Sequence, residues 1–202
     1  MEDLELSIRL NSFVLADPNK CIGCRVCEVA CAVAHTEKEI KTVGNMDIPL
    51  KSRLYLVKTA EVTMPVQCHH CEDAPCVKSC LILAIKEQGN KIVIDEQSCI
   101  GCKSCIIACP FGAIELILSH IEDKMSLPEL GKGDHKELQN KQKVIASKCD
   151  LCNGRTRGPA CVEACPQEAL QYVDVEKERK NRRIEAANRM SGFTREFMVK
   201  ER

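Results

Sequence analysis

Hydrophobic positions in this chain come in short runs. Lys91–Asp95 (KIVID) has the two-residue rhythm of a half-buried strand, and Gly89-Asn90 before it is a turn pair, so 84–95 reads as a hairpin. Arg53–Lys58 (RLYLVK) is a second strand candidate. Ala84-Ile85, Ala113-Ile114 and Ala169-Leu170 each fall four and five residues after a cysteine (Cys80, Cys109 and Cys165) and read as equivalent strand starts. Residues 119–147 are polar and read as a surface insertion. Residues 174–202 are charged and rich in helix formers. Asp174 is the expected N-cap, and Ile184, Ala187, Met190, Phe193 and Phe197 form a narrow apolar stripe at helical spacing. Gly192 weakens this helix and is a point where it can end. That would leave Phe193 and Phe197 as a separate tip, either docked on another subunit or folded back on 119–147.

Composition sharpens this picture. Of 202 residues, only 3% are aromatic and none is Trp, so the anchors of an ordinary core are scarce, while 16 are Cys. A group bonded to sulfur is expected to replace the missing core. Lys+Arg and Asp+Glu are 29 each, a balance that argues against a dedicated nucleic-acid binder. Residues 1–16 lack the basic start of a secretory signal, and no apolar run reaches the roughly 18 residues of a membrane span. A cytoplasmic setting is expected, where clustered thiols mean metal rather than disulfides.

The cysteines form four groups of four: Cys21, Cys24, Cys27, Cys31; Cys68, Cys71, Cys76, Cys80; Cys99, Cys102, Cys105, Cys109; and Cys149, Cys152, Cys161, Cys165. CIGCRVCEVAC (21–31) repeats as CIGCKSCIIAC (99–109), and groups two and four both widen the gap before their third Cys, so the chain reads as a duplicated unit. A 4Fe–4S cluster takes four thiolates. Cys-x-x-Cys-x-x-Cys wraps three around one cluster, and the fourth, three residues on, points to a neighbouring cluster. Groups must therefore pair and exchange their last Cys.

Only 81–98 separate Cys80 from Cys99, room for one hairpin, so groups two and three pair as an inserted unit and groups one and four pair across it. The expected sets are Cys21, Cys24, Cys27 with Cys165; Cys149, Cys152, Cys161 with Cys31; Cys68, Cys71, Cys76 with Cys109; and Cys99, Cys102, Cys105 with Cys80. Four clusters use every Cys once. Zinc is the competing ligand, and group four alone has a zinc-like spacing, but groups one and three place four Cys within eleven residues, too crowded for one ion.

The four-group order, PVQCHHCEDAPC (65–76) and CPFGAI (109–114) resemble the four-cluster ferredoxin subunits of redox enzymes over about 13–175. That family includes small subunits of formate dehydrogenases, formate hydrogenlyases, hydrogen-dependent carbon dioxide reductases and dimethyl sulfoxide reductases, and the ferredoxin partner of carbon monoxide dehydrogenase. The resemblance implies an α+β fold of two bacterial-ferredoxin-like lobes, one inserted in the other. The expected parts are a split lobe (13–67 and 110–173), an inserted lobe (68–109) and a C-terminal helix or tail (174–202). It implies electron relay through four 4Fe–4S clusters rather than catalysis. The expected partners are catalytic subunits of a molybdenum or tungsten formate dehydrogenase or an iron hydrogenase, with related iron–sulfur subunits or a second copy meeting the C-terminal helix. A stand-alone carrier, as for carbon monoxide dehydrogenase, and a metalloenzyme maturation factor are the alternatives. The chain departs from the pattern in lacking Pro after Cys31 and Cys80, in having His35-Thr36 in place of the Ala-Ile strand start, and in showing no membrane helix.

His35, His69 and His70 lie where they can donate hydrogen bonds to sulfur or serve packing. Lys20, Arg25, Lys103, Lys148, Arg155 and Arg157 flank the groups, as cluster counter-charges or as solvated surface. Asp17 and Asp95 each precede a CIGC by four residues and read as turn residues. No nucleotide loop, nucleophile elbow or catalytic carboxylate pair is evident.

Overall fold

The computed structural model describes residues 10–36, 51–119 and 143–199, with side chains up to 191. Four two-stranded antiparallel ladders organise it. β1 (Phe13–Ala16) pairs with β8 (Leu170–Val173), and β2 (Leu54–Lys58) with β3 (Thr63–Gln67). β4 (Ile85–Glu87) pairs with β5 (Ile92–Ile94), and β6 (Glu115–Ser119) with β7 (Lys143–Ser147). Four short helices carry cysteines: α1 (Val26–Ala34), α2 (Pro75–Lys78), α3 (Ser104–Ala108) and α4 (Ala160–Glu163). α1 packs on α4 and α2 on α3.

The expected hairpin is present. Gly89 and Asn90 both take left-handed backbone (φ 56 and 55), the two positive φ values a tight primed turn requires. RLYLVK forms β2, and its partner β3 runs through Pro65, which the sequence reading missed. The strands after Cys80, Cys109 and Cys165 begin at Ile85, Glu115 and Leu170. The insertion reading of 119–147 needs correction at its end. Residues 143–147 are β7, with Val144 exposed and Ile145 fully buried; the rest, 120–142, lies outside the described residues, as does any contact of the tail with it.

The core is built on sulfur and aliphatics. One buried group gathers Cys76, Cys80, Cys99 and Cys105 with Ile85, Ile92, Ile114 and Ile145. The other gathers Cys27, Cys31, Cys68, Cys149 and Cys161 with Val14, Leu54 and Leu170. α5 (Val175–Val199) follows β8, and the Lys177 N–H donates to the Asp174 carboxylate at 3.1 Å, which makes Asp174 the N-cap. The helix continues through Gly192 instead of ending there. The side chains of Phe193 and Phe197 lie outside the described residues. No described helix is long and apolar enough to cross a membrane.

Candidate iron–sulfur centres

The two CIGC loops are curled by alternating backbone handedness. Gly23 and Arg25 have φ 72 and 62, and Gly101 and Lys103 have φ 66 and 72, just before α1 and α3 begin. Gly101 has no alternative, because a Cβ there would sit 2.5 Å from the Val144 carbonyl oxygen on β7. Such alternation turns successive N–H groups inward and makes a concavity suited to an anion.

The loops curl around space. One pocket is walled by Cys21, Cys24 and Cys27 together with Cys165. Another is walled by Cys99, Cys102 and Cys105 together with Cys80. In each, three sulfurs come from one group and the fourth from another. The remaining cysteines meet electrostatically. Burial pushes the Cys76 thiol up to about 11, and the charges of Cys68 and Cys109 add to it; Cys71 feels the same two. Burial pushes Cys161 up to about 12, with Cys31 and Cys152 adding. Cys149 is raised as well, by burial first, with Cys161, Cys68 and Cys31 adding.

Buried thiols held this far from ionisation need a positive partner to become thiolates, and iron is one. Backbone N–H groups already aim at several sulfurs. Ala113 donates to Cys109 (3.5 Å), Ala169 to Cys165 (3.3 Å), His70 to Cys68 (3.4 Å), Leu151 to Cys149 (3.5 Å), Ala146 to Cys99 (3.4 Å) and Ala160 to Cys152 (3.4 Å). Four sulfurs spread around a void, in a cradle of N–H donors, fit a polynuclear cluster better than a single ion.

Group one solves the same problem differently. Its chain stays helical to Ala34, so no residue four positions on can serve Cys31. The Arg53 N–H takes that place, donating to Cys31 Sγ at 3.3 Å. This explains why His35-Thr36 replaces the usual strand start. His35 donates to the Cys31 carbonyl (2.7 Å) and to the Asp150 carboxylate (2.9 Å), with Cys31 Sγ 3.7 Å away. Burial favours the neutral ring, but the hydrogen bonds to Asp150 and Cys31 and the Asp150 charge together outweigh it and raise the His35 pKa to about 10. Arg53 pairs with Asp150 (2.9 Å) and Glu96 (3.3 Å). This junction of Arg53, Asp150, Glu96 and His35 was invisible in sequence except for His35.

The other candidates divide. His69 packs against Phe111 and Phe13, with ring centroids 4.3 and 6.2 Å away. His70 is buried, and its Nδ1 accepts the Ile92 N–H at 2.9 Å. Burial, helped by Lys148, lowers its pKa to about 3, so it is neutral. Lys148 is buried and donates to the Ile92 and Cys149 carbonyls. Arg155 and Arg157 pair with Glu163. Lys20, Arg25 and Lys103 are exposed. Asp17 and Asp95 cap turns, accepting from Asn19 and Gln97.

Models of the 4Fe–4S dicluster domain match residues 59–120 and 91–166. YsaA of Escherichia coli K12 is 44% identical over 173 residues, covering 86% of this chain and 96% of YsaA. The electron transport protein HydN of the same strain is 39% identical over 168 residues (83% and 91%). Hydrogenase-4 component A is 38% identical over 178 residues (81% and 83%).

Proposed function

This chain belongs to the family of 4Fe–4S dicluster, ferredoxin-type electron-transfer proteins, and from that premise we propose that it holds four 4Fe–4S clusters in crossed sets and relays single electrons within a larger redox complex. The clusters supply reversible one-electron chemistry when bound; the chain's residues hold, space, shield and tune them. The proposed sets are Cys21, Cys24, Cys27, Cys165; Cys31, Cys149, Cys152, Cys161; Cys68, Cys71, Cys76, Cys109; and Cys80, Cys99, Cys102, Cys105. The carrying observation is the pair of sulfur-walled voids, each closed by a Cys from another group. The packing of α1 on α4 and α2 on α3, and the β1–β8 and β4–β5 ladders, support a split lobe (13–67 and 110–173) around an inserted one (68–109).

The proposed partners are catalytic subunits of a formate- or hydrogen-converting enzyme in the cytoplasm, a reading supported by the sequence resemblance and by the name of hydrogenase-4 component A. The chain is proposed to be non-catalytic itself. The test is anaerobic purification with metal and sulfide analysis. About sixteen irons and sixteen sulfides per chain are expected, four per cubane. Zinc in their place, with no brown colour, would overturn the reading.

A further inference from the structure

Two cysteine groups open on the same dipeptide, a lysine followed by the group's first Cys: Lys20-Cys21 and Lys148-Cys149. The fold treats the two lysines oppositely. Lys20 is exposed, whereas Lys148 is only 4% exposed, the one buried base among the six that flank the groups. Its ammonium donates to the Ile92 carbonyl on β5 and, at 2.9 Å, to the Cys149 carbonyl. Neither partner is an acid. Glu96 and Asp150 line a polar pocket together with Lys148, but Arg53 holds both, at 3.3 and 2.9 Å. His70, which accepts the Ile92 N–H, is neutral. A lysine head buried among neutral partners is costly unless an anion lies close.

Two of the cysteine sets surround this charge. Lys148 directly precedes Cys149 and is bonded to its carbonyl. Its field also reaches Cys71 and Cys76, where burial raises the thiols first and Lys148 works against the rise. The two sets meet inside the fold, because Cys68, Cys149, Cys31 and Cys161 are buried in one group of side chains. The exposed cysteines, Cys24 and Cys102, belong to the other two sets. We propose that Lys148 is a tuning residue of the relay, its buried ammonium serving the inner sets Cys68/Cys71/Cys76/Cys109 and Cys31/Cys149/Cys152/Cys161 and raising the reduction potentials of both. The proposal rests on the cluster assignment above. A cubane on four thiolates is an anion that gains a further negative charge on reduction, so a fixed cation nearby favours the reduced form. Burial leaves that attraction poorly screened, which is why Lys148 acts and Lys20 does not. A charge shared by two neighbouring sets moves both in the same direction.

The test uses the full-length holo protein, purified anaerobically, with each reduction step followed by paramagnetic resonance during a redox titration. K148M removes the charge and both hydrogen bonds. K148Q removes the charge but keeps an N–H donor for the carbonyls, and K20M is the control. Iron in K148Q should stay at about sixteen per chain. In both Lys148 variants two of the four reduction steps are expected to fall, each by about ten-fold in electron affinity, which is about 59 mV for a one-electron couple. Those two are expected to be the steps missing from C76S and C161S, and K20M is expected to move none. Unchanged potentials in K148Q would overturn the proposal, because the lysine would then act through its hydrogen bonds alone. A fall in one step only, an equal fall in all four or a matching fall in K20M would overturn it too. So would loss of iron from both Lys148 variants, which would make the lysine a structural prop. Absence of iron from the unaltered chain would instead sink the cluster assignment, and this proposal with it.

Discussion

The two proposed cluster-bearing lobes close over very different lengths of chain. In the inserted lobe, Cys80 and Cys99 stand 19 positions apart, and the β4–β5 hairpin fills the gap between them. In the split lobe, Cys27 and Cys165 stand 138 positions apart, and β1 meets β8 from the far side of the sequence. Loop-closure entropy alone makes the second closure roughly 2 kcal/mol costlier. The inserted lobe reduces that cost when it folds first, because it brings the two halves of the other lobe together. The junction residues fit this order. Arg53 reaches Glu96 on the inserted side and Asp150 on the split side, and Ser12 N–H donates to the Asn90 carbonyl in the hairpin turn at 2.8 Å. On the proposed division, one lobe closes locally, although its core borrows Ile114, Ile145 and Ala146 from beyond 109, while the other closes only across the whole chain.

The largest expected effect comes from removing iron. Cysteine sulfurs form much of both cores, so cluster binding is folding free energy. A chelator added anaerobically should abolish the cooperative thermal transition seen by circular dichroism. Hydrogen exchange during iron withdrawal should show 13–31 and 161–173 opening before 84–94; the reverse order would break the comparison. Next come single ligands. Cys80→Ser and Cys165→Ser should each lower iron from about sixteen to about twelve per chain. Cys165→Ser should loosen β1 and β8 together, whereas Cys80→Ser should leave that ladder protected. Equal damage to both ladders would remove the asymmetry.

Much of this was legible in the sequence, because cysteine spacing encodes ligation directly. Three sulfurs at x-x-Cys intervals point to one centre and the fourth away from it, and with the short 81–98 spacing this is what the proposed crossed sets were written from; the pockets walled by Cys21, Cys24, Cys27 and Cys165 and by Cys80, Cys99, Cys102 and Cys105 agree with two of them. The hairpin at 84–95 was legible because Gly89-Asn90 has few other uses. What failed to show were features fixed by distant pairing. β7 looked like insertion because five residues with two lysine-rich neighbours carry little pattern, and Ile145 is buried only because β6 lies beside it. Arg53 carried no signal, since its role depends on α1 running past Cys31.

A smaller effect probes the junction. Arg53→Met removes the guanidinium from Asp150 and Glu96 but keeps the N–H that serves Cys31. Arg53 and Asp150 are both largely screened from water, and Asp150 retains His35, so the loss should be about 1–2 kcal/mol. Thermal denaturation of the holo protein would measure it. Exchange should rise in α1 and around 149–152, with iron content unchanged. If protection fell first in 84–94, Arg53 would be serving the inserted lobe, and the junction would have to be assigned to that side.

The smallest effect sits in the hairpin turn. Gly89 has φ 56, and nothing lies within 4 Å of where a Cβ would be, so Gly89→Ala introduces backbone strain without a clash. A non-glycine residue in left-handed backbone costs about 1 kcal/mol, which corresponds to about a five-fold rise in local opening. Clusters and iron content should be untouched, since Gly89 lines neither sulfur-walled pocket. Amide exchange at Ile92 and Val93 should rise by that factor. The informative amide is Ser12, on the split lobe, whose N–H is held by Asn90 in the same turn. If the inserted lobe props the split one through this contact, Ser12 exchange rises together with the hairpin, although the substitution is in the other lobe. If 85–94 loosen and Ser12 stays protected, the turn does not support the split lobe, and the lobes are coupled through the Arg53 junction instead.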